Sequence, residues 1–230
     1  MPVMRIDETR GLFSVLIAIA VLTSLVGTAA RAQIDVSPGS VILEIIVKFS
    51  DESGSGRLIN RYIDRNSQDL GELSRIGDEL HAATGFVLTP ERVTSGRELV
   101  VGVPERPLLE KVRNAVVERT DVSRAELVSI QTDNPRTAQA QLIIGFRQLS
   151  DEAKLLEDGY GENGYAERVQ ALASELSAPS GVPVRGVSRD GAELALVVDR
   201  FALLETIVAQ VKALEDVEYA QPNATVGIAR

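Results

Sequence analysis

The feature that most constrains this 230-residue chain is that it contains one pattern written twice. "PLLEKVRNAVVERTDVSRAEL" begins at Pro107 and "ALLETIVAQVKALEDVEYAQP" at Ala202. They share Leu108/Leu203, Leu109/Leu204, Glu110/Glu205, Val116/Val211, Asp121/Asp216, Val122/Val217 and Ala125/Ala220. The same offset joins Gly96 to Gly191, Glu98 to Glu193 and Leu99 to Leu194. Farther upstream, "LHAATG" from Leu80 answers "LSAPSG" from Leu176, and "SDE" opens at both Ser50 and Ser150. A small drift in spacing is what loop insertions leave behind. A duplication of this kind predicts two units of the same fold.

Each copy reads in the same order. A strand comes first, "VILEIIVKF" from Val41 or "AQLIIGF" from Ala140. A helix follows, with apolar positions Leu70, Leu73, Ile76 and Leu80 or Val169, Leu172 and Leu176 at helical spacing. Gly85 and Gly181 stand where a helix closes with a left-handed cap. Two strands then flank a turn, "TSGRE" or "SRDGAE", the second carrying the hairpin pair Asp190-Gly191. Another helix uses Leu109, Val112 and Val116 or Leu204, Ile207, Val211 and Leu214, and a last strand starts at Val122 or Val217. The fold class implied is α+β: two tandem ferredoxin-like β-α-β-β-α-β units, antiparallel sheets with two helices on one face. The predicted bounds are 41–131 and 140–223, with a linker at 132–139 around Asn134-Pro135 and an extended tail at 224–230. Leu80, Val116, Leu176 and Val211 are the expected core.

An antiparallel sheet with a bare face alternates apolar with polar residues. These opening strands do not. Ile42 and Ile46 oppose Leu43, Ile45 and Val47 in parity, and Leu142, Ile144 and Phe146 oppose Ile143. Something is expected to cover the second face: either the other repeat or a separate protein.

Arg5 and Arg10 precede an apolar run, Leu12 to Ala30, that ends in Ala30-Arg31-Ala32, a small-x-small cleavage pattern. The reading is a signal peptide over 1–32, cleaved near Ala32, and a periplasmic or extracellular product. An uncleaved membrane anchor is the rival, since the run approaches spanning length. The chain has no cysteine, so an exported fold of this size must be held by its core alone. A net charge of −9 repels phosphate backbones, and nucleic acid is not an expected partner.

The closing motif has a family likeness. A unit ending "LEDVEYAQPN" resembles the pro-domains of secreted subtilisin-like serine proteases and the free-standing inhibitors built on them. "LIIGF" resembles that family's opening strand and "LSAPSGVPV" its first-helix exit. The likeness is strongest from Ala140 to Arg230. The first copy places Arg124 and Leu127 where Tyr219 and Pro222 stand. The resemblance implies a non-enzymatic inhibitor, or folding chaperone acting in trans, of a subtilisin-like protease. The open sheet face would dock on the protease and the tail would lie in its cleft as a product-like strand. Tyr219, Gln221, Pro222, Asn223, Val226, Gly227, Ile228, Ala229 and Arg230 would be the contacting residues. Gln221 and Asn223 stand where many relatives carry carboxylates. Placing Ala229 in the first specificity pocket puts Val226 in the fourth; placing Arg230 first puts Gly227 there. The first of these registers suits a broad-specificity subtilisin.

Other signals are weaker. His81, the only histidine, lies one helical turn from Asp78, which reads as a solvated helix pair rather than a catalytic one. "LEDGYGENGY" from Leu156 misses the spacing of a calcium loop, and no cofactor or metal is expected. "DESGSGRLINRYIDRNSQD" (51–69) reads as a solvated loop. The alternative function is a structural or adaptor protein of paired ferredoxin-like units. A small-molecule sensing module is a third possibility, weakened by the lack of a convergent polar cluster in the sequence.

Overall fold

A computed structural model describes residues 41–130, 139–189 and 191–223. The chain is mixed α+β, with two four-stranded antiparallel sheets. Its first half runs β1 (Val41–Phe49), α1 (Gly54–Asp64), α2 (Ser74–Thr84), β2 (Thr89–Val93), β3 (Leu99–Pro104), α3 (Glu105–Val116) and β4 (Val122–Ile130). The second half runs β5 (Gln139–Phe146), α4 (Asp151–Asp158), α5 (Tyr165–Ser177), β6 (Val184–Arg189), β7 (Glu193–Val198), α6 (Arg200–Lys212) and β8 (Val217–Pro222). Short 3-10 turns precede α2 and follow α5.

The strand orders are β2-β3-β1-β8 and β4-β5-β7-β6. Each half thus lends its last strand to the sheet of the other. The helices follow the strands: α3 packs against β4, β5 and α5, and α6 packs against β1, β8 and α2. The second sheet and its three helices are therefore built from one continuous stretch, 105–198, nested between the two parts of the first. This corrects the expected partition into 41–131 and 140–223, and it gives each sheet three helices instead of two. Of the linker expected at 132–139, residues 132–138 lie outside the described residues, and Gln139 already belongs to β5.

The crossing points explain the exchange. β3 ends at Pro104 and α3 begins at Glu105 with no intervening residue; β7 and α6 are separated only by Asp199. A hinge this short favours a helix that runs on to the neighbouring sheet, the usual setting for swapped elements. Glu105 and Arg200 occupy equivalent positions of the repeat, as the first residues of the two exchanged helices. Their side chains meet, Arg200 Nη2 lying 3.8 Å from Glu105 Oε1. Glu105 Oε2 also accepts the Ala140 N–H at 2.7 Å, tying α3 to the start of β5. Glu105 is almost wholly buried, and burial pushes its carboxyl above the ordinary value despite Arg200 and Ala140.

The cores lie between sheet and helices. Ile45, Val47, Leu99, Val101 and Val103 line the helix side of the first sheet, Leu142, Ile144, Leu194 and Leu196 that of the second, and all are buried. Leu80, Val116, Leu176 and Val211 are buried as expected. Gly85 and Gly181 have φ of 71° and 68°, the left-handed caps that a side chain resists. On the side away from the helices, Val100, Ile143, Ala195 and Val197 are also buried but lie apart from the main core cluster.

One local reading is corrected. Residues 51–69 are not one loop: Ser53 accepts the Gly56 N–H and caps α1, whose Ile59 and Tyr62 reach the core. Gly56 is required by proximity, because a Cβ there would lie 2.0 Å from Ser50 O. The Gly-Ser-Gly run that suggests a loop is instead the tight entry to a helix. In the β2–β3 turn the left-handed residue is Arg97, with φ of 60°.

Candidate functional site

The sequence points to the closing strand, β8. Among the described residues it forms the edge of the first sheet, paired only to β1, with Ile46 opposite Gln221 and Lys48 opposite Tyr219. Ala220 points to the helix side and is buried; Tyr219 and Gln221 point the other way and are exposed. Pro222 is exposed at the end of the strand, where its missing N–H costs no ladder bond on the open edge.

Two polar clusters fix this strand. At one end the Tyr219 hydroxyl donates to Glu98 Oε1, while the Thr94 hydroxyl donates to Glu98 Oε2 at 2.6 Å. Lys48 Nζ donates to Gly96 O at 3.2 Å, closing the same corner. The Thr94 and Tyr219 hydroxyls hold the Glu98 carboxyl below its usual range, and the Tyr219 phenol is raised in return. At the other end, Asn223 is buried. Its backbone N–H donates to Glu44 O at 2.9 Å, and its Nδ2 donates to Glu44 Oε2 at 2.6 Å. Arg92 Nη2 reaches the same Glu44 oxygen at 3.0 Å. The point from which 224–230 departs is thereby fixed to the middle of β1.

Of the residues named from sequence, Tyr219, Gln221, Pro222 and Asn223 lie together on or just after β8. They do not act alike, because Asn223 is an internal anchor and the other three are exposed. Val226, Gly227, Ile228, Ala229 and Arg230 lie outside the described residues. Glu44 and Glu98, which hold the strand, were not among the named residues. Glu98 carried a signal, since it matches Glu193 in the repeat, and Glu193 holds the other edge strand through Arg124.

His81 and Asp78 are both exposed on α2. Among the described residues, no group of three or more His, Cys, Asp or Glu side chains is placed to hold a metal ion. No helix among them is long and apolar enough to cross a membrane. No protein-family model, curated protein or solved structure matches the chain.

Proposed function

We propose that this chain is an exported, non-enzymatic protein-binding module that inhibits a subtilisin-like serine protease, or assists its folding, in trans. In this reading its body is a pair of ferredoxin-like β-α-β-β-α-β units whose last helix and strand are exchanged. The strand orders, and the repetition of strand, helices, two strands, helix and strand in each half, support that description. The observation that carries the functional reading is the closing strand: an edge with no second strand beside it among the described residues, pinned through Asn223 to Glu44, immediately before the tail. An edge strand with a following extended segment is suited to β-augmentation, where backbone bonds give affinity and alternate side chains give selectivity.

The burial of Val100, Ile143, Ala195 and Val197 changes one part of the expectation. These four residues expose little apolar surface, so the contact is assigned to the β8 edge and the tail rather than to a broad apolar sheet face. The same burial also fits the second reading, a structural or adaptor protein, because these four residues offer a partner little apolar surface. The two separate in one experiment. The mature chain, with and without 224–230, is titrated against a broad-specificity subtilisin and residual activity is measured. Inhibition by the intact chain that is lost on truncation, with an unchanged thermal melt, is expected. No inhibition by either form would favour the adaptor, and undiminished inhibition by the truncated form would rule out a substrate-like tail.

A further inference from the structure

The two copies differ at one pair of equivalent places where a helix cap meets an exchanged helix. In the first copy, Lys111 of α3 reaches across to the cap of α2. Its Nζ donates to Gly85 O at 3.1 Å and lies 5.1 Å from the centre of the Phe86 ring. In the second copy, Thr206 of α6 stands at the position of Lys111, and Gly181 and Val182 stand for Gly85 and Phe86. Thr206 turns its hydroxyl back to Ala202 O at 2.8 Å and, among the described residues, makes no hydrogen bond across the gap. What lies there is a cleft of about 390 Å³ lined by Ser174, Ser177, Gly181, Val182, Asp199 and Thr206, among others.

The rest of the lining has changed in a compensating direction. The ring that faces the ammonium in the first copy is lost, since Val182 replaces Phe86. A carboxylate has appeared, since Asp199 replaces Pro104 at the equivalent place. Asp199 Oδ1 accepts both cap bonds, from Phe201 N and Ala202 N; among the described residues Oδ2 takes none. The neighbouring cation Arg200 is directed to Glu105 instead. Gly181 O, the counterpart of the carbonyl that Lys111 holds, accepts no hydrogen bond among the described residues.

We propose that this cleft binds a protonated primary amine: the group that Lys111 supplies internally in the first copy is taken from outside in the second. The ammonium would sit between the Asp199 carboxylate and Gly181 O, with its alkyl stem against Val182. A free alkylamine and the lysine side chain of another protein share this chemistry.

The test uses the full chain, labelled with ¹⁵N, and three probes: n-butylamine, Nα-acetyl-lysine methylamide and the Nε-acetylated form of the latter. Saturable amide shifts at Ser177, Gly181 and Val182 with the two amines, and none with the acetylated probe, are expected. Tighter binding of the lysine amide identifies a protein side chain as the ligand; equal binding identifies a small amine. Asp199→Asn keeps a good helix cap but removes the charge, and the dissociation constant should rise about tenfold. Thr206→Lys should supply the amine internally and abolish the shifts while the rest of the spectrum persists. Equal response to the acetylated probe, no response to any probe, or undiminished binding by Thr206→Lys would overturn the proposal.

Discussion

The two outer strands, β4 and β8, occupy matching edges of the two sheets and meet the same repeated glutamate with different chemistry. On β4, Arg124 forms an ion pair with Glu193, and Glu126 stands exposed beside it. On β8, the equivalent places hold Tyr219, which donates to Glu98, and the uncharged Gln221. Charges on an exposed edge discourage another strand from pairing there. By that rule β4, with Arg124 and Glu126 side by side, is the more heavily charged edge, while β8 keeps one exposed carboxylate, Glu218, and ends in Pro222. The duplication therefore preserved the glutamate that meets each edge while changing the residue that it meets. β4 also runs on to pair with β5 through Ile130 and Gln139, whereas β8 ends at Pro222 with Asn223 tied down behind it.

The largest expected effects concern the two cores. Leu80 and Leu176 are repeat partners, each almost fully buried, and truncating either to alanine should cost about 2–5 kcal/mol. If the nested arrangement holds, Leu176→Ala should speed hydrogen exchange chiefly within 105–198, and Leu80→Ala chiefly in the flanking segments. A Leu176→Ala variant that instead loosens 140–223 as a block, α6 and β8 included, would restore the partition read from the repeat.

The crossing comes next. Glu105→Ala leaves Arg200 without its partner and the Ala140 N–H without its acceptor, an expected loss of about 3 kcal/mol in denaturant unfolding. Reversing both charges, Glu105→Arg with Arg200→Glu, should recover part of that loss if the pair acts as a unit. The pH dependence has a definite sign. Burial holds the folded Glu105 carboxyl above its ordinary value near 4.5, so the folded state binds more protons than the unfolded state. Its contribution is greatest below that value and is lost as pH rises through the folded pKa. The stability difference between wild type and Glu105→Gln should fall over that window and flatten above it.

Much of this was legible in the sequence, and the remainder was not for identifiable reasons. The repeat, the order of elements, the caps at Gly85 and Gly181 and the core positions Leu80, Val116, Leu176 and Val211 all follow from local periodicity and turn chemistry. The exchange does not, because a strand carries no mark of which neighbour it will pair with. Both β4 and β8 present the same inward pattern, Ala125 and Leu127 or Ala220, to either sheet. The decisive feature is the absence of loop residues between Pro104 and Glu105, which becomes visible only once both ends of the connection are placed. Helix α1 was missed for a different reason: Gly54 and Gly56 mimic a loop, and Gly56 is explained only by its approach to Ser50 O. At the candidate site, the exposure of Tyr219 and Gln221 could be read from parity, but the inward role of Asn223 could not, since its partner Glu44 is far away in the chain.

The smallest effect should come from the edges themselves. Replacing Arg124 with methionine removes an exposed ion pair and should change stability by less than about 1 kcal/mol. Its interest lies in the comparison: if charge guards β4, the variant should self-associate more readily than wild type in sedimentation. Unchanged association would show that the guard lies elsewhere.

The central claim is that the last strand of each half belongs to the other half's sheet, and the chain's lack of cysteine makes this directly measurable. Ile46 pairs with Gln221 across the β1–β8 ladder. In self-contained halves its partner would be Glu126, the repeat equivalent of Gln221. Two double-cysteine variants, at 46 and 221 and at 46 and 126, are each treated at high dilution with a short bismaleimide. The exchanged fold predicts an intramolecular cross-link in the monomer for the 46/221 pair and none for 46/126. Cross-linking within the monomer at 46/126, with none at 46/221, would contradict it.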